Sequence, residues 1–104
     1  MKIATFPSIE IQLKSIQQLI QAAKFDDAIK QGLQLQQESK DKQQKIELWY
    51  LIAVAQRYKN QFPQALISIE ALLHIDSAHS RAYQEQGYIN LGLKQTSQAK
   101  SSFE

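Results

Sequence analysis

An all-α fold is what this sequence predicts, on three observations. Only three glycines and two prolines occur in 104 residues, so little interrupts regular structure. Long stretches are filled with Ala, Leu, Gln, Lys and Glu, which form helices readily. Apolar residues also return at three- and four-residue spacing rather than in alternation.

Taken in order, Ile9, Leu13, Ile16, Ile20 and Ala23 recur at helical spacing behind Pro7 and Ser8, the latter an N-cap candidate, and predict a helix over about 8–24. Asp26 and Asp27 place negative charge where a second helix should open, and Ala28, Ile29, Leu33 and Leu35 give it an apolar side. The polar run Gln36–Lys45 reads as a solvated helix end and connecting loop. Ile46, Trp49, Tyr50, Ile52, Ala53 and Ala55 then predict a third helix. Pro63 suits the first turn of a fourth, whose Ala65, Leu66, Ile69, Leu72 and Leu73 fall on one face and which closes at Asp76 and Ser77. A fifth helix is expected over about 80–91, ended by Gly92 as a left-handed C-cap, and Thr96 or Ser97 would cap a sixth carrying Ala99 and Phe103. The domain then comprises three hairpins, about 8–38, 45–76 and 80–104, with the last cut short.

A period joins these hairpins. Trp49 and Tyr83 are 34 residues apart, as are Ala53 and Gly87, Ala65 and Ala99, and Ile69 and Phe103. A first-helix aromatic followed four residues later by a small residue, with a small residue in the second helix, resembles the tetratricopeptide repeat. The resemblance covers the chain as two and a half to three repeats. It implies a right-handed superhelical stack of antiparallel hairpins. The first hairpin departs from the pattern: Gln12 stands where the aromatic belongs, and Ala28 to Ala65 spans 37 residues, three more than the period. Ser77 replaces the proline that often ends a repeat, and Gln86 a usual leucine. Two segments, Leu51–Tyr58 and Ser80–Gly87, also resemble the amino-terminal repeat region of bacterial sulfotransferases that carry such repeats.

Composition excludes several kinds of chemistry. With no cysteine there are no disulfides, thiolate metal sites or Cys nucleophiles. The 12 basic and 10 acidic residues are interspersed rather than gathered into a basic stripe, so no nucleic-acid partner is expected. The longest apolar run, Leu48–Ala55, falls well short of the ~20 residues that span a bilayer, and polar residues interrupt the first ten positions. No membrane association is expected, and the chain reads as cytoplasmic. His74 and His79 are five apart, a spacing that puts two imidazoles on different faces of a helix and predicts no metal site. Nucleophile-elbow, phosphate-loop, dinucleotide and zinc-protease motifs are missing. The chain carries no catalytic residues and no cofactor on this reading.

Function is therefore expected on a surface. The repeat resemblance implies a concave groove lined by first helices, here Glu47, Tyr50, Val54, Arg57 and Tyr58 from the second hairpin and Arg81, Gln84, Tyr88 and Leu91 from the third. Tyrosine and arginine are enriched at binding hot spots, and the reading is a scaffold that binds a peptide or protein in that groove. Trp49 is assigned to the hairpin interface. Leu13 and Gln17 occupy the positions of the family's carboxylate-clamping residues, so binding of chaperone C-terminal tails is not implied. Two alternatives stand beside the scaffold. The chain could be the substrate-positioning start of a larger enzyme, a sulfotransferase in particular. It could also self-associate into a homodimer through Leu93, Ala99 and Phe103, which an unfinished third hairpin would leave uncovered.

Overall fold

The structure is a computed structural model that describes residues 9–102, with side chains described for residues 10–97. Five helices account for almost all of it: α1 (Ile9–Gln21), α2 (Phe25–Glu38), α3 (Lys42–Tyr58), α4 (Phe62–Ile75) and α5 (Ser80–Ser102). There is no strand among the described residues, so the fold is all-α. No helix is long and apolar enough to cross a membrane among those residues.

The turns show how the helices pair. At the end of α1, Ala23 adopts a left-handed φ of 62°. The amide of Ala23 then donates to Ile20 O and that of Lys24 to Leu19 O, at 3.0 and 2.8 Å. At the end of α3, Asn60 adopts φ 60°, and the amides of Asn60 and Gln61 donate to Arg57 O and Gln56 O, each at 2.9 Å. Both are Schellman turns, which satisfy the last helical carbonyls while reversing the chain. α2 and α4 follow at once. Each has 14 residues and opens on a phenylalanine, Phe25 and Phe62. The hairpins α1–α2 and α3–α4 are thus built alike, although the first deviates most from the sequence period.

The predicted connector over 36–45 shrinks to residues 39–41. Asp41 accepts a hydrogen bond from the Gln44 amide at 2.9 Å and so caps α3 four residues earlier than the apolar pattern starts. Gln36 and Lys45 pin the ends together: Gln36 Nε2 donates to Lys45 O, and Lys45 Nζ donates to Gln36 O, both at 3.1 Å. Lys45 thereby satisfies a carbonyl in the last turn of α2. The three residues beyond the period have become an additional turn of helix rather than a longer loop.

The third hairpin is not formed. α5 runs unbroken through Gly92, Thr96 and Ser97, and Gly92 has no left-handed backbone, which corrects the expected C-cap at Gly92 and the separate sixth helix. The reason lies on α4. A Cβ at position 92 would come within 2.3 Å of Phe62 Cε1, so glycine here makes room for a ring while the backbone stays helical. Leu93 packs against the core and is not left uncovered, whereas 94–97 are exposed. The side chain of Ala99 and all of Phe103 lie outside the described residues, as does Ser8.

α3 carries the core on two sides. One cluster gathers Ile16, Ala28 and Leu35 with Leu48, Leu51 and Ala55 of α3. The other gathers Ile46 and Ala53 of α3 with Ala65, Ile69 and Leu72 of α4 and Ala82 and Ile89 of α5. This is why α3 is apolar nearly all round instead of showing one stripe. Ser68 Oγ donates to Gln56 Oε1 at 2.7 Å in the interior between α3 and α4, and no buried side-chain polar atom lacks a partner among the described residues. Packing runs α1 to α2, α2 to α3, α3 to α4 and α4 to α5, with further contacts α1 to α3 and α3 to α5. The odd helices accordingly form one layer, with α2 and α4 packed on it without touching each other, in a body 66 × 29 × 19 Å.

Candidate functional site

Where α5 lies beside α3, the two helices share a polar, aromatic strip on the odd-helix layer. At one end, Arg81 Nη2 donates to both Glu47 oxygens at 3.3 Å. The Arg81 guanidinium lies 4.3 Å from the centre of the Tyr50 ring. Tyr50 in turn meets the His79 ring at 6.3 Å. Glu47 and Arg81, 34 residues apart in the chain, thus meet across α3 and α5. His79 Nδ1 accepts from the Ala82 amide at 3.1 Å, so this imidazole caps α5.

At the other end, Arg57 forms a bidentate ion pair with Glu85, whose side chain is only 4% exposed. The Arg57 guanidinium also lies 4.8 Å from the Tyr58 ring centre and 5.1 Å from that of Tyr88, a cation–π arrangement on both sides of the helix pair. Tyr58 stacks on Phe25 of α2, with centroids 5.3 Å apart and planes at 12°. Gln84 Nε2 donates to the Tyr88 hydroxyl at 3.2 Å. Leu91 lines a shallow pocket with Arg57, Tyr58 and Tyr88, and Val54, half-buried on α3, lies between the two ends.

All nine residues read from the sequence as groove residues thus fall on α3 or α5, but they divide in two by exposure. Glu47, Tyr50, Val54 and Arg57 are half-buried, whereas Tyr58, Arg81, Gln84, Tyr88 and Leu91 are exposed. Glu85 was missed, since a buried carboxylate on an amphipathic helix shows no sign in sequence of the arginine 28 residues earlier that receives it. Trp49 is half-buried against the core. Its counterpart Tyr83 is exposed and donates to Ser77 O at 2.7 Å. Gly87 has open space where a Cβ would be, so its small size serves no close helix approach within the described residues.

Electrostatically the strip is balanced. Its two arginines are matched by two glutamates on the opposite helix. Burial pulls the Arg57 guanidinium down, but the hydrogen bond and charge of Glu85 outweigh this and hold it above its ordinary value. Burial pushes the Tyr50 hydroxyl up, with Glu85 and Glu47 adding to the rise and Arg81 and Arg57 opposing it. Among the described residues no group of three or more His, Asp or Glu is placed to hold a metal ion.

No protein family, curated protein or solved structure matches this chain.

Proposed function

We propose that the chain is a protein-binding scaffold of the tetratricopeptide kind, gripping a peptide or protein segment along the strip that α3 and α5 share. The observation that carries this reading is the convergence of Arg81, Gln84, Tyr88, Leu91 and Tyr58, all exposed, on one side of two adjacent helices. Exposed aromatic and arginine side chains held in place by neighbours lose little entropy on contact, which is what a binding hot spot requires.

Not every residue of the strip can test the reading. Tyr50 packs against both core clusters and Arg57 holds a buried carboxylate, so alanine at either disturbs the fold as well as the face. Arg81 and Tyr88 are exposed and do not carry that burden. A random 12-residue peptide library displayed on phage should yield enriched sequences on the parent chain and lose them on the Arg81→Ala/Tyr88→Ala variant, with helical content and melting temperature retained. Enrichment that is equal on both chains, or no enrichment at all, would overturn this function.

A further inference from the structure

α5 opens on an unusual cap. The connector from α4 ends at His79, and Ser80 is the first helical residue. His79 Nδ1 accepts from the Ala82 amide at 3.1 Å, and its carbonyl accepts from the Tyr83 amide at 3.3 Å. N-caps are ordinarily Ser, Thr, Asp or Asn, whose side-chain oxygens accept throughout the neutral pH range. An imidazole accepts at Nδ1 only while it is neutral and carries its proton on Nε2.

The surroundings of His79 lead into the strip. Its ring meets Tyr50 of α3 at 6.3 Å, Arg81 lies over the same Tyr50 ring at 4.3 Å, and Arg81 holds Glu47. Arg81 belongs to the turn that His79 caps. His79 is itself half-buried, so a solvent proton reaches it without unfolding of the chain.

Protonation reverses the capping bond. Nδ1 then carries a hydrogen that confronts the Ala82 N–H, donor against donor. The new charge also stands at the positive end of α5, beside a Tyr50 ring already occupied by the Arg81 guanidinium. Of the other charged neighbours, Glu47 is engaged by Arg81, Asp76 of the connector by the Ala78 amide, and Arg57 and Glu85 by each other. His74, exposed at the end of α4, adds positive charge when it is protonated in turn. The neutral ring is bonded only in the folded chain, so the folded state binds fewer protons at this residue than the unfolded one. Its contribution to stability is present at the upper end of the range of about pH 5–8 in which imidazole changes charge, and is lost as pH falls through it.

We propose that His79 is an acid-sensitive latch on the first turn of α5. Neutral, it ties that turn down and keeps Arg81 seated on Tyr50 and Glu47. Protonated, it lets go, and the Arg81 end of the strip loosens while the Arg57–Glu85 end stays closed. The latch is a property of the chain itself and holds whatever occupies the strip.

The test is nuclear magnetic resonance on the whole ¹⁵N-labelled chain between pH 8 and pH 5. At pH 8 the long-range ¹⁵N–¹H spectrum of the His79 ring should show the Nε2–H tautomer. On acidification the Ala82 and Tyr83 amide shifts should follow the titration of that ring, with the Arg57 and Ile89 amides unmoved. His79→Asn supplies a cap that does not titrate, so its Ala82 amide should stay constant over the same range. In urea unfolding from pH 8 to pH 5, the parent's folding equilibrium constant should fall by about fivefold more than that of His79→Asn, the worth of one N-cap. His74→Gln should behave as the parent does. An Nδ1–H tautomer at pH 8, an Ala82 amide indifferent to the ring's titration, or equal losses of stability in parent and His79→Asn would overturn the latch.

Discussion

Arg57 of α3 and Glu85 of α5 are joined by two hydrogen bonds across the helix interface, one of them Nη2 to Oε1 at 3.4 Å. Glu85 is 3% exposed, so its charge relies on Arg57 instead of water. Removing one partner of such a pair leaves the other buried and uncompensated. Arg57→Ala should therefore cost about 2–4 kcal/mol of stability in urea unfolding, whereas Arg57→Met with Glu85→Leu should recover most of the loss. A single variant within about 0.5 kcal/mol of the parent would show the pair to be ornamental.

The Tyr50 hydroxyl makes a second prediction, in pH. Its folded value lies above its unfolded value near 10.0 because burial disfavours the phenolate. Below pH 10 both states hold the proton and Tyr50 adds no pH dependence. Between the unfolded and the raised folded value only the folded state holds it, so stability falls as pH rises through that window. Tyr50→Phe should remove this component from the pH dependence of urea unfolding, and should remove a late step from the tyrosinate absorbance titration at 295 nm. Parent and variant curves of equal slope above pH 10 would contradict it.

A third concerns the close approach of α2 to α3. A Cβ at Gly32 would lie 2.7 Å from Ile52 Cγ1, and Ile52 is fully buried. Alanine would gain up to about 1 kcal/mol of helix propensity but would overpack the interface by about 1–3 kcal/mol. Gly32→Ala should thus destabilise by about 1 kcal/mol, and its cost should shrink on an Ile52→Ala background. A stabilised Gly32→Ala chain would mean that Ile52 moves aside freely.

Asp41 is the fourth. As the cap of α3 it should be worth about 1 kcal/mol when replaced by alanine, with faster amide exchange at Gln43, Gln44 and Lys45 and little change in α4. Unaltered exchange in that turn would show the cap to be dispensable.

Ala28 and Ala65 both fall at fully buried positions, and the small-residue pattern that picked them out reports directly on helix contact. The nine residues that the repeat resemblance implied for a groove all lie on α3 or α5, where their helical spacing puts them. Gly92 could not be read, since a glycine that caps a helix and one that admits a ring look the same until the partner, Phe62, is known. The 36–45 connector misled for a related reason: polar residues can extend a helix when a cap such as Asp41 and a cross-link such as Gln36–Lys45 give its ends somewhere to bond. Glu85 stayed hidden because its partner comes from another helix.

α3 is the shared wall of both hydrophobic clusters. Neither the α1–α2 hairpin nor the α4–α5 pair can therefore loosen without exposing a side of this one helix. A segment held between α3 and α5, as proposed above, would bind only the folded state and add its free energy to that state. Through α3, that gain would reach α1 and α2, which would become harder to unfold with the face occupied although nothing bound there touched α1.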